Sequence, residues 1–321
     1  MFRSELIEKP DDKSKKWRVC QADHFGDVLD FIEKTPPAWK GGYLASEQEH
    51  GGASGFDAKM GLTDSWAGTQ SLKEALELCR TGWDQGIKLL SETLDAANIV
   101  QKQSRVLSEG LDVAGSMPFV PAAVAGDPMC MVSRGLERAR TKPIFRIMMS
   151  GSASAGVSMQ TIINRGGAIL SWVDKLEGAG YQCELLYVYD VTESGWGGRS
   201  GNVTEFSCGF PIKSAGEPLN IDRAAFMMAH PAMLRRFIFA LYERFGDVEP
   251  NFRSGYGMPN NNIPPMLQVD HSIYFRALHS GEGDWKNPAT AIVAVERAIL
   301  KALTQETIGD DLREQMEWEA A

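Results

Sequence analysis

"RIMMSGSASAGVSM", residues 146–159, is the stretch on which the reading of this chain turns. Its first half ends "PIFRIMM" (143–149), a short apolar run after a proline, suited to a buried strand. Three serines follow at alternate positions, Ser150, Ser152 and Ser154, and a helical pattern follows them. Met159, Ile162, Ile163, Gly166, Ile169, Leu170, Val173 and Leu176 keep the helical period, and Gly178 and Gly180 supply the stop. "YQCELLYVYDV" (181–191) is a second strand-like run. Strand, helix and strand in this order make a βαβ unit, whose usual right-handed crossover sets the strands parallel. The serines then lie at the carboxyl end of a parallel strand, where open α/β sheets hold their ligands.

Downstream, "SGWGGRSGN" (194–202) is a turn and "VTEFSCGFPI" (203–212) returns as a hairpin strand. "LNIDRAAFMMAHPAMLRRFIFALYERFG" (219–246) is helical on both sides of Pro231, which breaks or kinks it. "MLQVDHSIYFRAL" (266–278) alternates like a strand. Asn287 as N-cap and Pro288 as first helical residue start a helix over "NPATAIVAVERAILKAL". Residues 141–305 thus read as an α/β region with a mostly parallel sheet sandwiched by helices, followed by an acidic C-terminal tail at 306–321.

Upstream, residues 1–130 read as a helical N-terminal region. Residues 17–34 hold a short strand and helix, and 40–63 are rich in glycine, a long loop or an extension that packs against another chain. Ser71 and Glu74 form a capping box for a helix that Gly82 stops. "WDQGIKLLSETLDAANIV" (83–100) continues helically, and 110–130, with Pro118, Pro121 and Pro128, reads as an extended connector.

The 321 residues carry no apolar run near the roughly 20 residues that cross a bilayer. The N-terminus lacks the apolar stretch of a signal peptide. Five scattered cysteines without a C-x-x-C pair argue against a disulfide framework and for a reducing cytoplasm. A net charge of −9 disfavours a passive coat on duplex DNA, although a local basic groove can work on an acidic protein.

Four chemistries compete for the serine loop. A phosphate loop of Walker type needs a lysine that is not there. A dinucleotide fingerprint needs G-x-G-x-x-G, and Gly151 and Gly156 stand in the wrong register. A nucleophile elbow needs G-x-S-x-G, which Gly151-Ser152-Ala153-Ser154-Ala155 fails. A cation site suits serine oxygens with a carboxylate added, and the plain alternative is a serine-rich helix start that satisfies its own amides.

Ser150-Gly151-Ser152-Ala153-Ser154 resembles the first metal-site loop of von Willebrand factor A-like domains, D-x-S-x-S, with serine in place of the leading aspartate. The resemblance extends over 141–305 in the order strand, loop, long helix, strand, hairpin strand. It implies a ligand loop of Ser150, Ser152 and Ser154, with Asp190 or Asp270 as a compensating carboxylate. The lost aspartate removes a charge from the first shell, so Mg²⁺ binding is expected to be weak or nil.

Thr63-Asp64-Ser65, Gly82-Trp83, Asp112–Met131 and Arg165–Leu185 together resemble a family of bacteriophage proteins without an assigned activity. That resemblance implies action in the cytoplasm of a bacterial host. N-four-like phages are among the possible sources, and some of them pair A-domain proteins with an AAA+ ATPase or use a single-stranded-DNA-binding cofactor for their polymerase.

"WGGRSGN" (196–202) and "NFRSGYGMPNNN" (251–262) interleave arginine with aromatics, as flexible loops that hold single strands do. Trp196, Arg199, Phe252, Arg253 and Tyr256 are the candidate nucleic-acid contacts, and "RGLERARTK" (134–142) could extend such a groove. Gly-rich surface turns with an aromatic anchor are the plain alternative. The histidines form no H-x-x-x-H pair; His271 and His279, near Asp270, are metal or general-base candidates against a packed or solvated reading. Gly166 and Gly167, inside the long helix, point to close packing on the sheet.

The expectation is a non-catalytic adaptor for a protein partner, such as an AAA+ ATPase or a polymerase, with self-assembly through 40–63 possible. The alternative is a single-stranded-DNA-binding cofactor of a phage polymerase or replisome. A serine hydrolase lacks a base in the sequence.

Overall fold

The computed structural model describes residues 1–9, 13, 15–38, 64–84, 86, 108–114, 117–135, 144–192, 203–248, 256–260 and 273–305. The chain opens with strands β1 (Phe2–Glu8) and β2 (Lys16–Ala22) and helix α1 (Phe25–Lys34). Helices α2 (Asp64–Ala67) and α3 (Leu72–Thr81) come next. A small unit follows, of β3 (Ser108–Asp112), β4 (Met117–Pro118), α4 (Val120–Val124) and β5 (Met131–Gly135). The central unit is β6 (Ile144–Ser150), α5 (Met159–Gly178), β7 (Gln182–Thr192) and β8 (Val203–Lys213). Helix α6 (Ile221–Ala229), a π-helical turn (Met233–Ile238), α7 (Phe239–Tyr242), β9 (Met258–Pro259), β10 (Ile273–Phe275) and α8 (Pro288–Gln305) complete it.

The strand–helix–strand at 144–192 forms as the apolar periods require. Ser158 caps α5, its Oγ accepting from Thr161 N at 3.1 Å. β6 and β7 pair parallel, from Ile144↔Gln182 to Ser150↔Val188. β8 returns antiparallel along β7, and β10 pairs parallel with β6 on its other side.

The seven-stranded sheet runs β1-β2-β8-β7-β6-β10, with β9 paired to β7. Three of its ladders are parallel (β2 with β8, β6 with β7, β6 with β10), so the sheet is mixed, with its parallel centre at β6. Its far edge corrects the expectation of a helical N-terminal region. β1 and β2 form an antiparallel hairpin, and β2 joins the sheet beside β8. Residues from α1, α3, β2, β6, β7 and β8 share one core, so a division between 1–130 and 141–305 does not separate two cores.

Alternation along β7 assigns the two faces. Cys183, Leu185, Tyr187, Tyr189 and Val191 join the large core with α5, α6 and α8. Val188 joins a smaller cluster on the other face, with Trp17, Val19 and Met148. Among the described residues, the helices of eight or more residues in the main body pack on the first face. The expected cover of both faces by helices is not found there.

The helical stretch around Pro231 breaks at His230, which is held extended (φ −83°, ψ 128°), as the residue before a proline tends to be. The helix at 288–305 starts as expected, with Thr290 N donating to Asn287 Oδ1 at 2.9 Å. Residues 110–130 are not a plain extended connector. β3, β5 and β4 form a three-stranded sheet of their own, and none of its described side chains belongs to the core. The glycine-rich 40–63, the helical reading of 87–100 and the acidic tail at 306–321 lie outside the described residues.

Candidate functional site

The first half of the serine segment is not a loop. Beyond β6 the chain continues extended, and Ala153 bridges Leu278 in parallel. Leu278 N donates to Ser152 O and Ser154 N to Leu278 O, each at 2.9 Å, so an isolated bridge, one residue out of register with the β6–β10 ladder, joins the two segments beyond their strands. The turn comes at 154–157, where Val157 N donates to Ser154 O at 3.0 Å.

Ser150 and Ser152 are fully buried. Ser152 Oγ donates to Asp190 O at 2.8 Å and accepts from Asp190 N at 2.9 Å. One hydroxyl therefore replaces a rung between the β6 extension and β7. Ser150 Oγ accepts from Ser152 N at 3.3 Å. Asp190 is buried as well; its Oδ1 accepts from Ser207 Oγ at 2.5 Å across the β7–β8 ladder, and its carbonyl also accepts from Asn260 N at 3.1 Å. The structure thus brings Ser150, Ser152 and Asp190 together, with hydrogen bonds directed at one another, at the backbone and at the neighbouring Ser207 and Tyr274 side chains.

Arg165, from the second turn of α5, completes the arrangement. Its Nη2 donates to Ser150 O at 2.8 Å and its Nη1 to Arg276 O at 2.9 Å, tying the ends of β6 and β10 to the helix. The guanidinium is 1% exposed, and burial lowers its pKa to about 10, which leaves it charged at neutral pH. These residues do not fit a divalent cation. The best-placed hydroxyl is held by backbone groups on both sides, and a buried cation already sits at the carbonyl of Ser150. Among the described residues no group of three or more His, Cys, Asp or Glu is placed to hold a metal ion.

A second layer closes over the turn. Arg235, on the π-helical turn, donates to Val157 O at 2.6 Å and to Trp66 O at 2.5 Å, and its guanidinium stacks 4.2 Å from the Trp66 ring. Trp66 Nε1 donates to Ala155 O at 3.2 Å. Arg236 donates to Thr69 O at 3.1 Å. The segment after residue 63 is therefore pinned across the serine turn, a contact between distant parts of the sequence.

What faces outward is the rim. Ser154 is half-buried, and its Oγ lies 3.5 Å from Nδ1 of the exposed His279, at the limit of a hydrogen bond. Glu282 accepts from the His279 backbone N–H at 3.0 Å and from Trp285 Nε1 at 3.0 Å, so its carboxylate shapes the 279–285 loop and does not orient the imidazole.

The nucleic-acid candidates fare differently. Trp196, Arg199, Phe252 and Arg253 lie outside the described residues, as do Asp270 and His271 and most of 134–142. Tyr256 is described, and it is no surface stacker. It is 7% exposed, its ring lies on Phe239 with centroids 3.6 Å apart, and its hydroxyl donates to Glu243 at 2.5 Å. Gly166 does pack closely, but on a helix: a Cβ there would come within 2.3 Å of Met228 O and 2.6 Å of Ala229 Cα on α6. Sequence reasoning missed Arg165 and Arg235 as organising residues. Their one signal was a basic residue inside an otherwise apolar helical stretch, as in "IINRGGAIL" and "MLRRFI".

Fold and site together define a mixed α/β protein whose ligand position, at the carboxyl end of its parallel centre, is filled by its own side chains. The chain belongs to the family described as Domain of unknown function (DUF7192), which matches residues 13–307. No curated protein and no solved structure matches it. Among the described residues no helix is long and apolar enough to cross a membrane.

Proposed function

We propose that the chain is a non-catalytic binding protein that presents the carboxyl end of β6 and β10 to a macromolecular partner. One observation carries this reading. The polar groups that would handle a small ligand, on Ser150, Ser152 and Asp190, are turned into the fold, while the adjoining segments at 154–156 and 279–284 stand at the surface on a rigid base. An A-domain-like region with a degenerate metal loop is the finer reading of the fold. It is supported by the order β8-β7-β6-β10, with β8 antiparallel and the serine segment after β6. The phage-type setting, in a bacterial cytoplasm with an AAA+ ATPase or polymerase as partner, rests on the sequence resemblance alone.

A photo-crosslinking residue at His279, on the rim, tests the reading against one at Gln182, exposed at the opposite end of the sheet. Irradiation in host cells is expected to give a discrete protein adduct from position 279 and none from 182. Equal adducts from both positions, or none from 279, overturn it. Anisotropy with labelled single-stranded DNA at low and moderate salt is expected to stay flat; tight, salt-sensitive binding would instead establish the cofactor alternative.

A further inference from the structure

The small sheet of β3, β5 and β4 with α4 is built unlike the rest of the molecule. Among the described residues its strands pair only with one another, and none of its described side chains belongs to the core. Yet it is rich in large apolar side chains, and they are exposed: Leu111 40%, Met117 59%, Phe119 44%, Val120 64%, Val124 82% and Met129 49%. A three-stranded sheet of such short strands needs a partner surface for independent stability.

Area and charge both indicate what that surface is. With Val113, these side chains together expose on the order of 700 Å² of apolar surface within 19 residues of sequence, close to what one partner gives a standard interface. Residues 113–132 hold a single charged residue, Asp127, in a chain that is 23% charged with a net charge of −9. Two copies of so acidic a chain repel, and a stretch without charge is where they can meet at least cost. Methionine and phenylalanine at the contact, with charge excluded from it, are also what the cores of homodimer interfaces favour. The prolines at 118, 121 and 128 remove backbone donors along the β4 side, which disfavours open-ended strand addition there.

We propose that residues 108–135 form an assembly arm whose apolar face docks against the same arm of a second copy of this chain. The contact is a closed, two-fold one, with side chains packing face to face. It is independent of the rim at 154–156 and 279–284.

Cys130 supplies the probe. It is half-buried on the arm, whereas Cys20, Cys79, Cys183 and Cys208 are buried. Sedimentation equilibrium of the full chain, of a Phe119→Asp/Val120→Asp/Val124→Asp variant and of Cys130→Ser, with a short bismaleimide crosslinker, tests the arm. The wild type is expected to be a dimer at micromolar concentration, crosslinked through Cys130. The triple variant is expected to dissociate with a dimer constant raised by roughly 100-fold or more, while the main body keeps its helical circular-dichroism signal. Its three positions are exposed, so the substitutions leave the main fold intact. A wild type that stays monomeric overturns the proposal, whether or not its arm binds phosphatidylethanolamine–phosphatidylglycerol vesicles. A dimer that survives the triple substitution overturns it too.

Discussion

The serine segment after β6 and the arm at 108–135 are opposites in how they treat their side chains. In the first, polar groups lie in the interior and have partners within the chain: Ser152 with the Asp190 backbone, Arg165 with Ser150 O and Arg276 O, Arg235 with Val157 O and Trp66 O. In the second, apolar groups lie at the surface and none belongs to a core. A buried polar group costs stability until it is paired, and an exposed apolar patch costs stability until it is covered. The main body meets much of its requirement internally through the pairs just named, and the arm has deferred its own to another molecule. The segment expected to be a ligand loop thus directs two of its three serines into the fold, while the stretch expected to be a connector exposes large apolar side chains.

The sharpest way to break this comparison is to add a methyl group to the main body. In Gly166→Ala the new Cβ meets backbone atoms of α6, which cannot rotate away, so α5 and α6 must separate. A loss of about 3 kcal/mol is expected, outweighing the roughly 1 kcal/mol that alanine gains in helix propensity. Gly178→Ala is the control on the same helix: nothing lies within 4 Å of its Cβ position, so it is expected to be neutral or to stabilise by up to about 1 kcal/mol. Urea denaturation of the two variants measures both; equal midpoints would mean that the main body is looser than its contacts imply.

The next effect is on pH dependence. His230 is 5% exposed between Trp83 and Phe226, its Nδ1 accepts from Ala232 N at 3.0 Å, and burial lowers its pKa from 6.5 to about 4. The folded chain therefore holds the ring neutral in a range where the unfolded chain protonates it. This contribution is fully present above pH 6.5 and falls away as the pH drops towards 4, by about 3 kcal/mol at most. His230→Asn keeps an acceptor near Ala232 N but cannot titrate. It is expected to lower stability at pH 7 and to flatten the slope between pH 6.5 and 4, read as urea midpoints across that range. A slope unchanged by the substitution would assign the acid sensitivity to other groups.

A smaller loss is expected from Ser152→Ala. The change leaves Asp190 N–H, inside the sheet, without the oxygen it donates to, at a cost of about 2 kcal/mol. Because both bonds of the hydroxyl are internal, the loss should be the same with and without millimolar Mg²⁺. A wild-type melting temperature that rises with Mg²⁺, and does not rise in Ser152→Ala, would restore the cation reading.

These cases show where the sequence was informative. β6, α5, β7 and β8 were legible because apolar runs and a helical period are local signals, and the caps at Ser71 and Asn287 because capping is local too. The pairing of β2 with β8 was not, since a parallel partner far along the chain leaves no mark on either strand. The alternation of Ser150, Ser152 and Ser154 was legible, but alternation says only that three residues share a face, not that two of them point inward. Arg165 and Arg235 went unread because their partners are backbone carbonyls, which have no sequence identity. Tyr256 read as a surface aromatic because its neighbours in sequence are polar, while Phe239 and Glu243 are its neighbours in space.

The smallest effect tests the rim itself. Ser154 contributes its backbone to the turn, through Leu278 O and Val157 N, and alanine keeps both bonds. Among the described residues its hydroxyl makes only the long contact to His279, so Ser154→Ala should change stability by no more than about 0.5 kcal/mol. The same substitution decides between a docking rim and a hydrolytic one. A serine activated by His279 would react with a fluorophosphonate probe, and that labelling would vanish in Ser154→Ala. With no carboxylate among the described residues orienting the imidazole and the contact at its geometric limit, the wild type is expected to remain unlabelled at millimolar probe. Labelling confined to Ser154 would make the rim an active site and end the non-catalytic reading, while leaving the closed interior beneath it unchanged.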